Sequence, residues 1–370
     1  MASIDRRRFL KVAGAAGAGA AAPAVTAPAI AQSSPELQWR MPVSWPKALE
    51  TLYGGAEQFC KYVSEATDGK FQIRPMLGDE RIPALEVTEA VANGTVEACH
   101  TAPYYMFAKD PTFAFGCAVP FGLNGRMQNA WWLEGGGEAL MNGFYAKYNI
   151  YGLLAGNTMA QMGGWFRKEI NTIDDLKGVK MRIGGFAAAV ISKLGVIPQQ
   201  LAGVDIYQAL EKNTVDAAEW VGPHDDERLG LHKVAKFYYY PGWWEGGAMI
   251  HVQVNKAKWE ALPSSYQAIL KAAAAQAHNF TVGRYDALNP VALKKILATG
   301  TQLRPFSEAI MDACFKAANE VYAEIGGKNE DFKKHWESVR AFRADQYLWQ
   351  QLADNTYDNF MLIQQRKKTL

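Results

Sequence analysis

The chain has 370 residues, 49% of them hydrophobic, with 11 Trp and 16 Tyr and a formal charge of +2. That length suits two compact cores better than one, and the aromatic content excludes a disordered chain. Arg6, Arg7, Arg8 and Lys11 against Asp5 give the first 31 residues a net +3 and leave the body at −1, which excludes a broad basic surface for nucleic acid.

Taken in order, Arg6-Arg7-Arg8-Phe9-Leu10-Lys11 fits a twin-arginine export pattern, and Ala29-Ile30-Ala31 after an Ala/Gly-rich stretch suits signal peptidase. Residues 1–31 are therefore expected to be a leader that sends the remainder to the periplasm. No cysteine follows the expected cleavage site, so a lipid anchor is not supported, and no later stretch carries about 18 uncharged apolar residues.

Leu37 to Val43 alternates as a strand, Leu49 to Ala66 carries a helical apolar stripe, and Phe71 to Met76 alternates again. Ala84 to Ala92 reads as a helix stopped at Asn93-Gly94, followed by a strand over Val96 to Ala102. Strand, helix, strand, helix, strand is the rhythm of a parallel sheet with covering helices. The rhythm then restarts. Tyr151 to Leu154 is a strand, Met162 to Arg167 one able to pair antiparallel, and Ile173 to Gly178 a short helix. Ala187 to Leu194 and Tyr207 to Lys212 are helices, and Val215 to Val221 is a strand. Ala257 to Ala277 is an Ala-rich helix, Thr301 to Arg304 a short strand, and the chain from Ser307 onward nearly all helix. The last run, Ala344 to Gln364, is striped with Tyr347, Leu348, Leu352, Tyr357, Phe360 and Met361.

Glu89 to His100 aligns without gaps on Gln208 to Glu219, sharing an apolar helix end, Asn, Thr-Val, an acid and Ala. Each half would then send an equivalent strand toward one place, and ligands of open α/β sheets bind beyond the carboxyl ends of strands. Those ends are Thr101 to Tyr105 and Glu219-Trp220.

Val179, Met181 and Ile183 alternate with Lys180 and Arg182, so Arg182 points off an apolar face with Gly184-Gly185 just beyond. Its guanidinium matches a carboxylate with two parallel hydrogen bonds, although an arginine at a strand end is also commonly a surface ion pair. Asn157 and Gln161 are spaced by four, Tyr104-Tyr105 follow Pro103, Glu219-Trp220 end a strand, and Glu245 lies between Trp243-Trp244 and Gly246-Gly247. Together they offer a cation for a carboxylate, oxygens for a hard metal ion, and aromatic walls. The six histidines show no zinc spacing, and Cys60, Cys99, Cys117 and Cys314 sit in apolar contexts that suit buried free thiols.

In order and content these pieces resemble the periplasmic solute receptors of TRAP transporters, the DctP-like family. The likeness rests on Gly163-Gly164-Trp165-Phe166-Arg167 with Leu176 to Arg182, and runs over nearly all of residues 37 to 370. Ala217 to Pro223 and Tyr238 to Gly247 are closer still to the 2-oxo-acid-binding branch. The resemblance implies an α/β, two-lobed periplasmic-binding-protein-like fold with a ligand cleft between lobes and a long C-terminal helix. Its parts would be lobe I (32–155), lobe II (156–250), a crossover helix and return strand contributing to both (251–306), and a C-terminal dimerisation extension (307–370).

By that resemblance Arg182 pairs with the carboxylate of a pyruvate-like acid, and Tyr104, Asn157 and Trp220 line the pocket, with Tyr105, Phe186 and Trp243 as further lining. Gln161, Glu219, the main chain of Trp220 and Glu245 would hold a metal ion, Na⁺ in preference to Ca²⁺. The partners implied are the membrane permease subunits and a second copy exchanging its C-terminal helix. Two other readings stand beside a receptor: an exported metal-assisted enzyme acting on a keto acid, and a module presenting its ligand to a membrane sensor. Against the enzyme, no histidine, cysteine or lysine is placed as acid, base or nucleophile, and no G-x-S-x-G occurs.

Overall fold

A computed structural model describes residues 35–79 and 81–369; the twin-arginine motif and cleavage site lie outside them. The strands are β1 (Leu37–Val43), β2 (Phe71–Leu77), β3 (Ala98–Thr101), β4 (Ile150–Asn157), β5 (Gly164–Phe166) and β6 (Lys180–Arg182). After them come β7 (Ile197–Gln199), β8 (Ala217–Ala218), β9 (Phe237–Tyr240), β10 (Met249–Asn255) and β11 (Gln302–Pro305).

They form two sheets. The first has the order β2-β1-β3-β10-β4, with β1 parallel to β2 and β3, and β10 antiparallel to β3 and β4. The second runs β11-β9-β5-β8-β6-β7, and there β5 pairs antiparallel with β8 and β9, as the alternation over Met162 to Arg167 allowed. The segment after β9 thus returns to the first sheet through β10 and to the second through β11.

Helices α1 (Leu52–Ala66), α2 (Val87–Ala92), α3 (Gly125–Leu133) and α4 (Gly137–Tyr145) accompany the first sheet's strands in the chain. Then follow α5 (Gly185–Ser192), α6 (Ile206–Glu211), α7 (Pro223–Leu229), α8 (Lys256–Glu260) and α9 (Ser264–Ala298). Helix α9 has 35 residues and packs on α1, β4 and α7. The predicted helix over Ala257 to Ala277 is therefore two. Pro263 cannot donate to a preceding turn and restricts Leu262, so the chain breaks there, and the Ala-rich run restarts and continues to Ala298. The C-terminal region comprises α10 (Glu308–Gly326), α11 (Glu330–Gln350) and α12 (Asp354–Arg366), so the predicted terminal run is broken after Gln350.

The aligned repeat occupies matching structure: α2 leads into β3 as α6 leads into β8. Only Ala217–Ala218 of the predicted strand over Val215 to Val221 is strand, though the flanking Asp216 and Glu219 amides still donate to the Lys180 and Arg182 carbonyls of β6, and the Glu219 carboxylate accepts from Arg182 and Gly184. All four cysteines are buried and free. Among the described residues no helix is long and apolar enough to cross a membrane.

Candidate functional site

Arg182 ends β6 with 1% of its surface exposed, and Glu219, just past the neighbouring β8, is fully buried. The guanidinium Nη1 donates to the Glu219 carboxylate and, at 2.5 Å, to the Glu219 carbonyl; Nε donates to the Leu201 carbonyl at 3.2 Å. Nη2 is buried and has no acceptor. The guanidinium carbon stands 5.0 Å from the Trp220 ring centroid, a cation–π distance. The Gly184 amide donates to Glu219 Oε1 at 3.1 Å. The Gly184-Gly185 pair allows Tyr104 this close: a Cβ on either glycine would lie 2.5 Å or 2.2 Å from the tyrosine ring.

Three acceptor atoms in the same cluster lack a donor. Gln161 Oε1, Glu219 Oε2 and Glu245 Oε2 are all buried without a hydrogen-bond partner. The Gln161 amide nitrogen donates to Thr158 Oγ1 at 2.9 Å, which turns the amide oxygen away from that hydroxyl. Burial, with the Glu219 charge beside it, pushes Glu245 well above the usual carboxylate range, while Arg182, Tyr104 and Gln161 pull the other way. Burial acts on Glu219 in the same sense, against the opposing pull of Arg182. Carboxylate and amide oxygens are the donors that Na⁺ and Ca²⁺ take, and three unpartnered ones in a buried cluster fit such an ion.

Next to this cluster lies a small cavity lined by Trp45, Leu52, Ala102, Tyr104, Tyr105, Thr158, Gln161, Trp220, Val221, Ala248 and Ile250. Arg182, Glu219, Trp220, Tyr104, Tyr105, Gln161 and Glu245 thus come together. Asn157 ends β4 nearby, but its amide is committed: Nδ2 donates to Gln128 at 2.8 Å and Oδ1 accepts from the Met159 amide at 2.8 Å. Phe186 packs on Phe107, Tyr322 and Phe332, and Trp243 stacks on Phe121, so both belong to packing around the site. Trp45 and Thr158 were not singled out from sequence. Trp45 follows the carboxyl end of β1, the same strand-end rule that pointed to Tyr104 and Glu219.

A buried cluster of one arginine and several unpartnered oxygens, beside a small cavity, is the kind of site a solute-binding protein carries. The chain belongs to the family described as bacterial extracellular solute-binding protein, family 7 (DctP), whose model matches residues 43–329. It is 48% identical over 326 residues to a Nostoc protein named monocarboxylate 2-oxoacid-binding periplasmic protein, covering 88% of this chain and 89% of that one. A TRAP transporter solute-binding protein of Bordetella bronchiseptica, a mixed-occupancy dimer with copurified calcium and picolinate in one active site and an apo site beside it, matches with TM-score 0.89 and 46% identity, over 90% of this chain and 100% of that one. A Pseudoalteromonas atlantica TRAP solute-binding protein with bound sodium and pyruvate matches with TM-score 0.85 and 36% identity, over 88% and 99%.

Proposed function

We propose that this chain binds a short 2-oxo acid such as pyruvate, together with Na⁺ or alternatively Ca²⁺, between its two α/β lobes, and delivers the acid to the membrane permease of a TRAP transporter. The observation that carries the reading is the coexistence, in one buried cluster, of a guanidinium nitrogen without an acceptor and three oxygens without donors. Arg182 Nη2 would take the ligand carboxylate, while Gln161, Glu219, Glu245 and the main chain of Trp220 would hold the cation. The bound ion supplies positive charge to the carboxylate and keto oxygens. Counted with the ligand, two glutamates and one arginine sum to −2, so a cation is what lets the ligand's anion join two carboxylates in a dry site.

The family match supports a receptor rather than an enzyme. The lining residues include no histidine, cysteine or lysine to transfer a proton or attack a carbonyl. Small size is no obstacle: about six heavy atoms at ~1.5 kcal/mol each allow about −9 kcal/mol, a sub-micromolar affinity. The reading extends to export by the twin-arginine route and to a dimer formed through the C-terminal helices, whose Leu348, Trp349, Leu352, Tyr357 and Phe360 are all exposed. Long incubation with pyruvate and Na⁺ followed by mass spectrometry tests the receptor against the enzyme. Quantitative recovery of bound, unaltered pyruvate is expected, and conversion to a product would overturn the reading.

A further inference from the structure

Thr158 follows the last residue of β4 and is 2% exposed. Its hydroxyl has one hydrogen to give and two lone pairs to fill. The Ala248 amide donates to Oγ1 at 3.0 Å, and the hydroxyl hydrogen goes to the Met159 carbonyl at 3.1 Å. One lone pair remains, which can only accept, and the Gln161 amide nitrogen fills it at 2.9 Å. An amide whose nitrogen is fixed has its oxygen fixed on the other side, and Gln161 Oε1 is the buried oxygen without a donor. We infer that Thr158 is a positioning residue for the cation: its saturated hydroxyl admits only the N–H end of the Gln161 amide and so keeps the oxygen end for the ion. The inference rests on the reading above, in which Gln161 is a cation ligand.

The backbone on either side of this contact is already held. The Thr158 amide donates to the Ala248 carbonyl at 3.1 Å, the Gln161 amide to the Glu245 carbonyl at 3.3 Å, and the Gly242 amide to the Gln161 carbonyl at 3.0 Å. The loop that carries Gln161 and the loop that carries Glu245 are thus stitched together, and the Gln161 side-chain torsions are the freedom left for Thr158 to remove. Turning the amide over would set two oxygens against each other, or else draw the hydroxyl hydrogen away from the Met159 carbonyl. It would also present an NH2 to a cation. Each alternative leaves a buried polar group unpaired or repelled. Groups that orient a metal ligand in this way command about 10- to 100-fold in metal affinity.

Pyruvate titrated by calorimetry over a Na⁺ series at constant ionic strength gives the half-saturating Na⁺ concentration of each variant. Thermal midpoints without cation or acid report the fold separately. Thr158→Val keeps the shape and loses the hydroxyl, and should raise the half-saturating Na⁺ by about tenfold or more. Thr158→Ser, which keeps the hydroxyl, should return it to within about threefold of wild type. A glutamate at position 161 offers an oxygen whichever way it turns, so in a Gln161→Glu background Thr158→Val should add less than about threefold. Wild-type Na⁺ dependence in Thr158→Val, or an equal loss in both backgrounds, would overturn the assignment and leave the receptor reading standing. Should Thr158→Val fail to fold, a crystal structure of the wild type with Na⁺ and pyruvate decides. Gln161 Oε1 on the ion with Nε2 on Thr158 is expected, and an ion held by Gln161 with Thr158 unbonded to it would overturn the assignment. A wild type that binds no pyruvate at any Na⁺ or Ca²⁺ concentration would remove both readings.

Discussion

Arg182 and Glu219 form a buried ion pair whose Coulombic gain is set against the desolvation of both charges. Removing only one partner leaves the other charge stranded, so Arg182→Ala should cost about 3–5 kcal/mol of stability in urea unfolding. The double variant Arg182→Met with Glu219→Leu should recover much of that loss, and equal destabilisation by single and double variants would contradict the pairing. Asp226, beside Asp225 whose pKa burial likewise raises to about 6, contributes to pH dependence. Asp226 accepts from Tyr238 at 2.7 Å and Trp165 at 2.9 Å, and burial pushes its pKa up to about 7. An acid raised in the folded state holds its proton there more tightly than in the unfolded chain. Its stabilising contribution is therefore full below the ordinary carboxylate range and declines as pH rises to about 7. Thermal midpoints should fall across that window in the wild type and less steeply in Asp226→Asn.

At this scale the arginine was legible because alternation and a glycine pair framed it. Glu245 and Gln161 were unexceptional singly and drew notice only together with Arg182, and the family likeness supplied their role as metal ligands. Trp45 went unnoticed because a tryptophan before a proline at a strand end reads as core, and only the hydrogen bond to His100 and the adjoining cavity distinguish it.

Helix α7 joins elements that come from far apart in the chain. Asp225 accepts from Thr51, at the start of α1, at 2.6 Å and from Tyr285, on α9, at 2.7 Å, while its neighbour Asp226 holds β5 and β9 through Trp165 and Tyr238. Beside it Glu50 pairs with Arg228 and Arg284 at 3.0 Å and 3.2 Å, nearer the surface. Thr51→Ala or Tyr285→Phe should each cost about 1–3 kcal/mol by leaving a buried carboxylate short of a donor. Glu50→Gln should cost at most about 1 kcal/mol, since its pairs are solvent-screened. Urea titrations of the three variants check that order. The elements themselves were legible where one face is buried, as in β1, β2 and α1. Strand β10 was missed although Ile250, Val252 and Val254 alternate with His251, Gln253 and Asn255; the alternation does not mark an exposed face here, since every residue from Met249 to Asn255 is buried. Helices α3 and α4, and the part of α9 beyond Ala277, are likewise absent from the sequence pattern.

On the scale of the whole molecule, α12 has no buried residue, and Tyr357, Phe360 and Ile363 stand exposed on it. Apolar area of that kind on a terminal helix calls for a partner surface. Deleting residues 351–370 should convert dimers to monomers in light scattering without lowering the thermal midpoint of the body, and a monomeric full-length chain would contradict the assignment. As the lobes close over the site, a cation offsets part of its negative charge. This requires cation and acid to enter together, which makes each raise the other's affinity by the same factor. Pyruvate affinity measured by calorimetry over a series of Na⁺ concentrations tests this most directly. The account predicts that affinity climbs with Na⁺ and is lost in Arg182→Met at every concentration; equal affinity with and without the cation, or wild-type affinity in that variant, would contradict it.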